Sequence, residues 1–267
     1  MTDSATSPQT TRIPNLFHLL LLLALTFFAL ILCESLLVAL NPHNIAATLQ
    51  DQHLQLFASI ATYILALGAA TFLFPLLWHR DFDTGISWNP TQARPLLILI
   101  GLGLGILSQA VSTLLPIPKE LPIEKVFQTP GIIWLLAFFG TIIAPLFEEI
   151  VFRGFLLPAL AIAVDYLRLP KSLEALEVWR TSDVFSGPAL ITSSIIASLC
   201  FAAIHAPQLG FSWPAVALLA SVSLVLCYVR IRTKSVAAST LVHACYNLSV
   251  FLTLFVSTGG FRHMDKL

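Results

Sequence analysis

The sequence predicts an all-α fold: a polytopic bundle of about eight transmembrane helices with a polar site inside the membrane. Two observations carry this. Of 267 residues, 57% are hydrophobic and only 10% are charged, with a mean hydropathy of +0.86; globular domains carry about 25% charged residues. Eight apolar stretches follow one another, over 16–40, 54–78, 95–116, 131–147, 150–164, 188–204, 213–229 and 236–256. A membrane-crossing helix takes roughly 17–25 apolar residues, so seven stretches suffice and 150–164 falls a turn short. The chain is expected to be a multi-pass integral membrane protein, with nothing in it that names a particular membrane.

Residues 1–15 are polar and are expected to form a disordered tail. The stretch 16–40 is too long for a signal-peptide core, and Leu32 before Cys33 does not suit lipoprotein processing, so it is expected to remain as a first helix. N-terminal transmembrane helices occupy 16–130. Among them, Gly101, Gly103 and Gly105 lie within an apolar run and predict a close-packing surface rather than a phosphate loop. The proline-rich segment from Pro116 predicts no long helix and is expected along the membrane face. A core follows over 131–256. Its charged loop 165–187 carries Lys171, Glu174 and Glu177 at a spacing that permits a short interfacial helix, and 257–267 forms a C-terminal tail.

With eight crossings the basic residues of loops and tails divide eight to five; if 150–164 does not cross, they divide nine to four with the N-terminus inside. The positive-inside rule thus slightly prefers seven crossings. Eight would bring Glu148 and His205 to one depth, and eight is the expectation adopted.

Zero net charge, from 14 basic and 14 acidic residues, argues against a nucleic-acid partner. The partners expected are the lipid bilayer and a peptide or protein substrate, lipidated or not. Cys33, Cys200, Cys227 and Cys245 lie in apolar stretches without a CxxC pair, as small packing residues do. His18, His43, His53, His79 and His263 fall at helix ends or in loops, where solvation is expected, and Glu34 is expected near an interface.

The chemistry concentrates elsewhere. A carboxylate at a helix centre in a membrane costs about 2.5–3.5 kcal/mol on insertion scales, yet APLFEEIVFRGF carries two, Glu148 and Glu149. Arg153 follows Glu149 by four residues on the same helical face, in the favourable acid-before-base order. Glu148 lies about 100° round the helix and points elsewhere. Glu149 and Arg153 are therefore expected to form a structural ion pair. His205 ends the stretch 188–204, and His243 and Asn247, spaced i, i+4, share one face of the last helix.

A carboxylate, two imidazoles and a carboxamide on three helices are the groups that hydrolysis needs. Glu148 could deprotonate a water, the imidazoles could share or return the proton, and Asn247 with a histidine N–H could donate to an oxyanion. Alternatively Glu148, His205 and His243 could hold a divalent metal, zinc by donor type, whose bound water attacks. No HExxH helix is present.

These residues resemble the CAAX-protease and bacteriocin-processing family of intramembrane proteases, which includes the Rce-type prenyl-protein endopeptidases. The likeness rests on EEIVFR at 148–153 (EExxxR in the family), FAAIH at 201–205 (FxxxH) and HACYN at 243–247 (HxxxN), in the family's order. It implies an endopeptidase cutting within or beside the membrane, with Glu148 as catalytic glutamate, His205 as its partner, and His243 and Asn247 completing the site. Both glutamate-type and metal-dependent chemistry are compatible with it. Segment 165–187 is long for the family. Two other classes fit the composition: a non-catalytic membrane scaffold or immunity protein, which would not need intact motifs, and a proton-coupled transporter, which would show duplicated broken helices; no such duplication is evident.

Overall fold

The computed structural model describes residues 12–263 except 92, 119 and 130. Every regular element among them is helical. Seven helices are long and apolar enough to cross a bilayer: α1 (Leu16–Leu40), α2 (Gln52–Trp78), α3 (Arg94–Ser112), α4 (Ile133–Leu167), α5 (Gly187–His205), α6 (Trp213–Thr233) and α7 (Val236–Ser257). The chain is a multi-pass integral membrane protein, and its polytopic helical bundle is the fold class that its composition predicts.

Helix starts follow local chemistry. Asn15, Asp51, Ser186 and Ser235 accept first-turn N–H groups of α1, α2, α5 and α7, while α3, α5 and α6 carry a proline in their first turn, where its missing N–H is harmless. Leu173–Thr181 is the short helix that the spacing of Lys171, Glu174 and Glu177 permits. In the segment after α3 the longest helical turn is Pro122–Phe127, and Ile123 N–H donates to the Gln208 carbonyl at 3.2 Å, tying the segment to the α5–α6 connection.

The expectation of eight crossings is corrected to seven. The stretches 131–147 and 150–164 are parts of one helix of 35 residues, α4. The chain does not leave the membrane at Glu148, because the helix adapts to its prolines. Two π-helical turns, Phe139–Ile143 and Ile150–Leu156, each end two residues before a proline, Pro145 and Pro158. The widened turn moves the bonding register by one residue, and Ala144 and Leu157 donate to Phe139 and Phe152, five residues back. Depth matching survives the change. Ser186 N–H donates to Asp165 at 3.3 Å, so α5 starts beside the end of α4 and runs back along it. At 1.5 Å per residue, Gly187 to His205 and Asp165 to Glu148 are both about 26 Å. With seven crossings the basic residues divide nine to four, the larger share on the N-terminal side, the distribution that the positive-inside rule associates with a cytoplasmic face.

Residues 1–11 of the expected tail lie outside the described residues. Arg12 does not trail: its guanidinium donates to the Val184 carbonyl at 3.0 Å and lies 3.7 Å from Asp165. His18, expected to be solvated, is buried. It is the third residue of α1, where Nδ1 accepts from Asn15 N–H and the ring packs edge-on against Phe74 and Trp78. Glu34 accepts from Gln55 on α2 at 3.3 Å. All four cysteines are free, three of them buried and Cys200 exposed. The segment after α7 folds back to set Phe261 edge-on to Trp134.

The glycine stripe does pack α3 against α7, through two of its three members. A Cβ on Gly101 would lie 2.5 Å from the Val242 carbonyl oxygen and from Cys245 Cβ, and one on Gly105 would strike Ser249 and lie 2.8 Å from the Tyr246 carbonyl oxygen. Around Gly103 there is open space. This close approach sets the position of α7, the helix that bears His243 and Asn247. Gly105→Val is expected to destabilise the bundle by about 1–3 kcal/mol through overpacking, while Gly103→Val is far milder. Thermal unfolding of the purified variants in detergent checks this; equal midpoints would remove the close-packing role.

Candidate active site

The buried centre of the bundle is a charge pair. Arg153 and Glu149 are both 0% exposed, and Arg153 Nη1 donates to Glu149 Oε1 at 2.8 Å. Nη2 reaches α6, donating to the Ser223 carbonyl at 3.0 Å and to the Ser223 hydroxyl at 2.6 Å. The guanidinium also lies 5.0 Å from the centroid of the buried Phe201 ring of α5. One arginine thus binds three helices, and the sequence-expected pair 149–153 is its local part.

Glu149 Oε1 has a second partner. His243 Nδ1 lies 3.0 Å from it, and since a carboxylate oxygen already bonded by Arg153 only accepts, Nδ1 carries the proton. That bond turns Nε2 of His243 toward Glu148, whose Oε2 is 3.7 Å away. His205 is aimed in the same manner: its Nδ1 donates to the Phe201 carbonyl at 2.7 Å, one turn back, leaving Nε2 at 3.8 Å from Glu148 Oε1. Glu148 therefore faces one imidazole with each oxygen. The three side chains are 5–20% exposed, so the site is largely but not wholly enclosed by the protein. Phe201 closes its floor, with ring centroids 4.6 Å from His205 and 5.7 Å from His243.

Asn247 lies one turn beyond His243, and its amide donates to the Gly140 carbonyl at 2.6 Å. The cause is Pro145. In the π register, Ala144 N–H already serves Phe139, and the next donor, due to the Gly140 carbonyl, would be the N–H of residue 145, which proline lacks. Asn247 supplies it, using one of two amide hydrogens.

The structure brings Glu148, His205 and His243 together, buries Glu149 and Arg153 beneath them, and commits part of Asn247 to the backbone. Sequence reasoning missed the bond between Glu149 and His243, the anchoring of Arg153 by Ser223, and Tyr63 of α2, which stacks on Phe147 at 3.9 Å between centroids. Ser223 is one of several serines in apolar helices, and only its partner distinguishes it. Glu148, His205 and His243 are suitable in kind for a divalent ion. As placed, however, no three His, Cys, Asp or Glu side chains among the described residues are grouped to hold one, so the chemistry proposed below uses protein groups alone.

Residues 130–249, a little under half of the chain, match the family described as Rce1-like, type II CAAX prenyl endopeptidase. The resemblance carried by the three motifs is therefore borne out over the segment that holds every one of these site residues, and the family is one of proteases. Comparison with curated proteins and with solved structures yields no match.

Two outcomes test this framework. Arg153→Leu leaves Glu149 as an uncompensated buried charge and is expected to destabilise by about 3–5 kcal/mol, with Glu149→Met/Arg153→Leu milder than Arg153→Leu alone; unfolding titrations of the three proteins decide it. Asn247→Ala is expected to cost about 1–3 kcal/mol by orphaning the Gly140 carbonyl. In a Pro145→Ala background, which restores an N–H at 145, that cost should shrink. Equal costs in both backgrounds would break the proposed link between proline and carboxamide.

Proposed function

We propose that the chain is an intramembrane endopeptidase in which Glu148, partnered by His205, activates the attacking water. The observation that carries this reading is the pair of gaps around Glu148. With its Nδ1 proton held by Phe201, a neutral His205 presents a lone pair at Nε2 to a carboxylate oxygen 3.8 Å away. Two acceptors at that separation make no direct hydrogen bond. A water donating one O–H to each satisfies both, and its own lone pairs then face outward.

In the reaction, Glu148 takes one proton of that water as its oxygen bonds to the scissile carbonyl carbon. The carbonyl oxygen, gaining the electron pair of the broken π bond, needs donors. His243, already donating from Nδ1 to Glu149, offers an Nε2–H when it is an imidazolium, and Asn247 offers the amide hydrogen that Gly140 does not use. When the tetrahedral species collapses, the C–N bond breaks and the proton held by Glu148, directly or through His205, passes to the leaving nitrogen. Water is consumed, and a carboxylic acid and an amine are formed. Glu149 and Arg153 touch no reacting atom and serve as positioning residues. The substrate class is a membrane-associated protein or peptide, with a lipidated C-terminal tail as one form that the family's description suggests.

Purified full-length protein in detergent is expected to cleave a membrane-peptide substrate. Glu148→Gln and His205→Ala should each lower kcat by about 10²–10⁴-fold, the usual worth of acid–base groups, with unchanged thermal midpoints. Wild-type rates in either variant would sink the assignment. Cleavage should survive exhaustive chelation; a loss that zinc restores would transfer water activation to the metal alternative, with Glu148, His205 and His243 as ligands.

A further inference from the structure

The cytoplasmic end of the bundle, as the positive-inside count places it, holds a second chemically distinct site. There a cavity of about 250 Å³ is lined by Arg12, Arg80, Arg180 and Arg230, with Asp183 as the one carboxylate. Arg12 is already engaged by Asp165 and the Val184 carbonyl. Arg80, Arg180 and Arg230 have no hydrogen-bond or ion-pair partner among the described residues, and Arg230 Nε is buried without one. Asp183 cannot balance three guanidinium groups. A half-buried arginine at the end of an apolar helix, converging with two others on one hollow, is left short of anionic charge.

The hollow is also asymmetric. A second cavity of about 250 Å³ adjoins it, sharing Ser87, Pro158, Asp183, Phe185 and Arg230, and apart from Lys234 its remaining wall is apolar, with Leu157, Ala161, Leu190 and Ile231. Arg230 thus stands between a cationic compartment and a largely apolar one. A free anion has use for the first compartment only. A phosphate attached to a glycerol backbone and acyl chains has use for both.

We propose that this cavity binds a phosphate group, presented by an anionic phospholipid of the inner leaflet. The phosphate sits among Arg80, Arg180 and Arg230, whose planar forks suit phosphate oxygens; the apolar neighbour receives the start of an acyl chain. Basic pockets between transmembrane helices on this face are the sort that hold anionic headgroups. The site is independent of the hydrolytic centre and contributes no group to it. Its occupant joins the N-terminal end of α1, the end of α2, the helix Leu173–Thr181 and α6, all of which supply one of the four arginines.

The test uses the full chain in neutral detergent, with bound lipid counted by native mass spectrometry during titration with phosphatidylglycerol, phosphatidylcholine or inorganic phosphate. One phosphatidylglycerol per chain is expected to bind at least tenfold more tightly than phosphatidylcholine. Arg80→Gln/Arg180→Gln, both at exposed positions, and separately Arg230→Gln should each weaken it tenfold or more. The charge-matched control Arg94→Gln/Arg232→Gln, which leaves the cavity lining intact, should not. Competition by inorganic phosphate at the same concentration as the lipid would assign the site to a soluble phosphate instead. Equal loss in the control, or no preference over phosphatidylcholine, would overturn the proposal, the first by showing a diffuse basic surface and the second by showing no phosphate selectivity at all. Thermal midpoints of the variants without lipid separate lost binding from lost folding.

Discussion

One carboxylate oxygen holds the site together. Glu149 Oε1 receives both Arg153 and His243, so a charge pair within α4 is also the bond that orients a histidine on α7. Removing two ions from water costs several kcal/mol each, and Coulomb attraction offsets that only when geometry and hydrogen bonding are good. Here three of the arginine's bonds are made to Glu149 and Ser223, and its face rests on Phe201. A well-packed apolar pair would span the same space with less desolvation. What it could not do is dictate which nitrogen of His243 bears a proton or where the other points. The ion pair is therefore better understood as a device for orientation than for stability.

Helix α4 owes its shape to the same need. Prolines 145 and 158 would break a regular helix, and inside a membrane no water serves the orphaned carbonyls. The π turns take up the disruption, and on the first of them Asn247 satisfies the carbonyl that Pro145 leaves open. The bond couples α4 to α7 four residues after His243 does so through Glu149. Two polar ties one turn apart fix both the rotation of α7 and its distance, while Gly101 and Gly105 let α3 press in from behind.

Whatever depends on the period of a single helix was legible in the sequence. The Glu149–Arg153 pair, the shared face of His243 and Asn247, and the divergence of Glu148 from Glu149 all follow from 3.6 residues per turn. What depends on relations between helices was not. No spacing indicates that Ser223 lies against Arg153, or that Glu149 serves His243 as well. The count of crossings differed for a related reason: hydropathy divides the chain at residues 148–149, whereas Glu149 is paired within the fold and the helix runs on. His18 was misjudged because a histidine one turn into a helix can fold back on its cap, and burial by Phe74 and Trp78 depends on α2. That Asn247 would bond Gly140 was not legible, since a carbonyl orphaned by a proline appears only once the π register is known.

The two adjacent glutamates differ most in what each touches. Glu149 has a guanidinium and an imidazole N–H in direct contact with one oxygen, Oε1, which holds it in place beneath the site. Glu148 faces two imidazole nitrogens at distances that exceed a hydrogen bond, with partial access to solvent. A general base must be short of partners until the substrate water arrives, and short of them in a fixed direction. The fold sets that direction by anchoring the far nitrogen of each imidazole, His205 to Phe201 and His243 to Glu149. Glu148 thus faces groups whose far ends are anchored, while Glu149 is itself an anchor, and that is why a doublet of identical residues can do two different things.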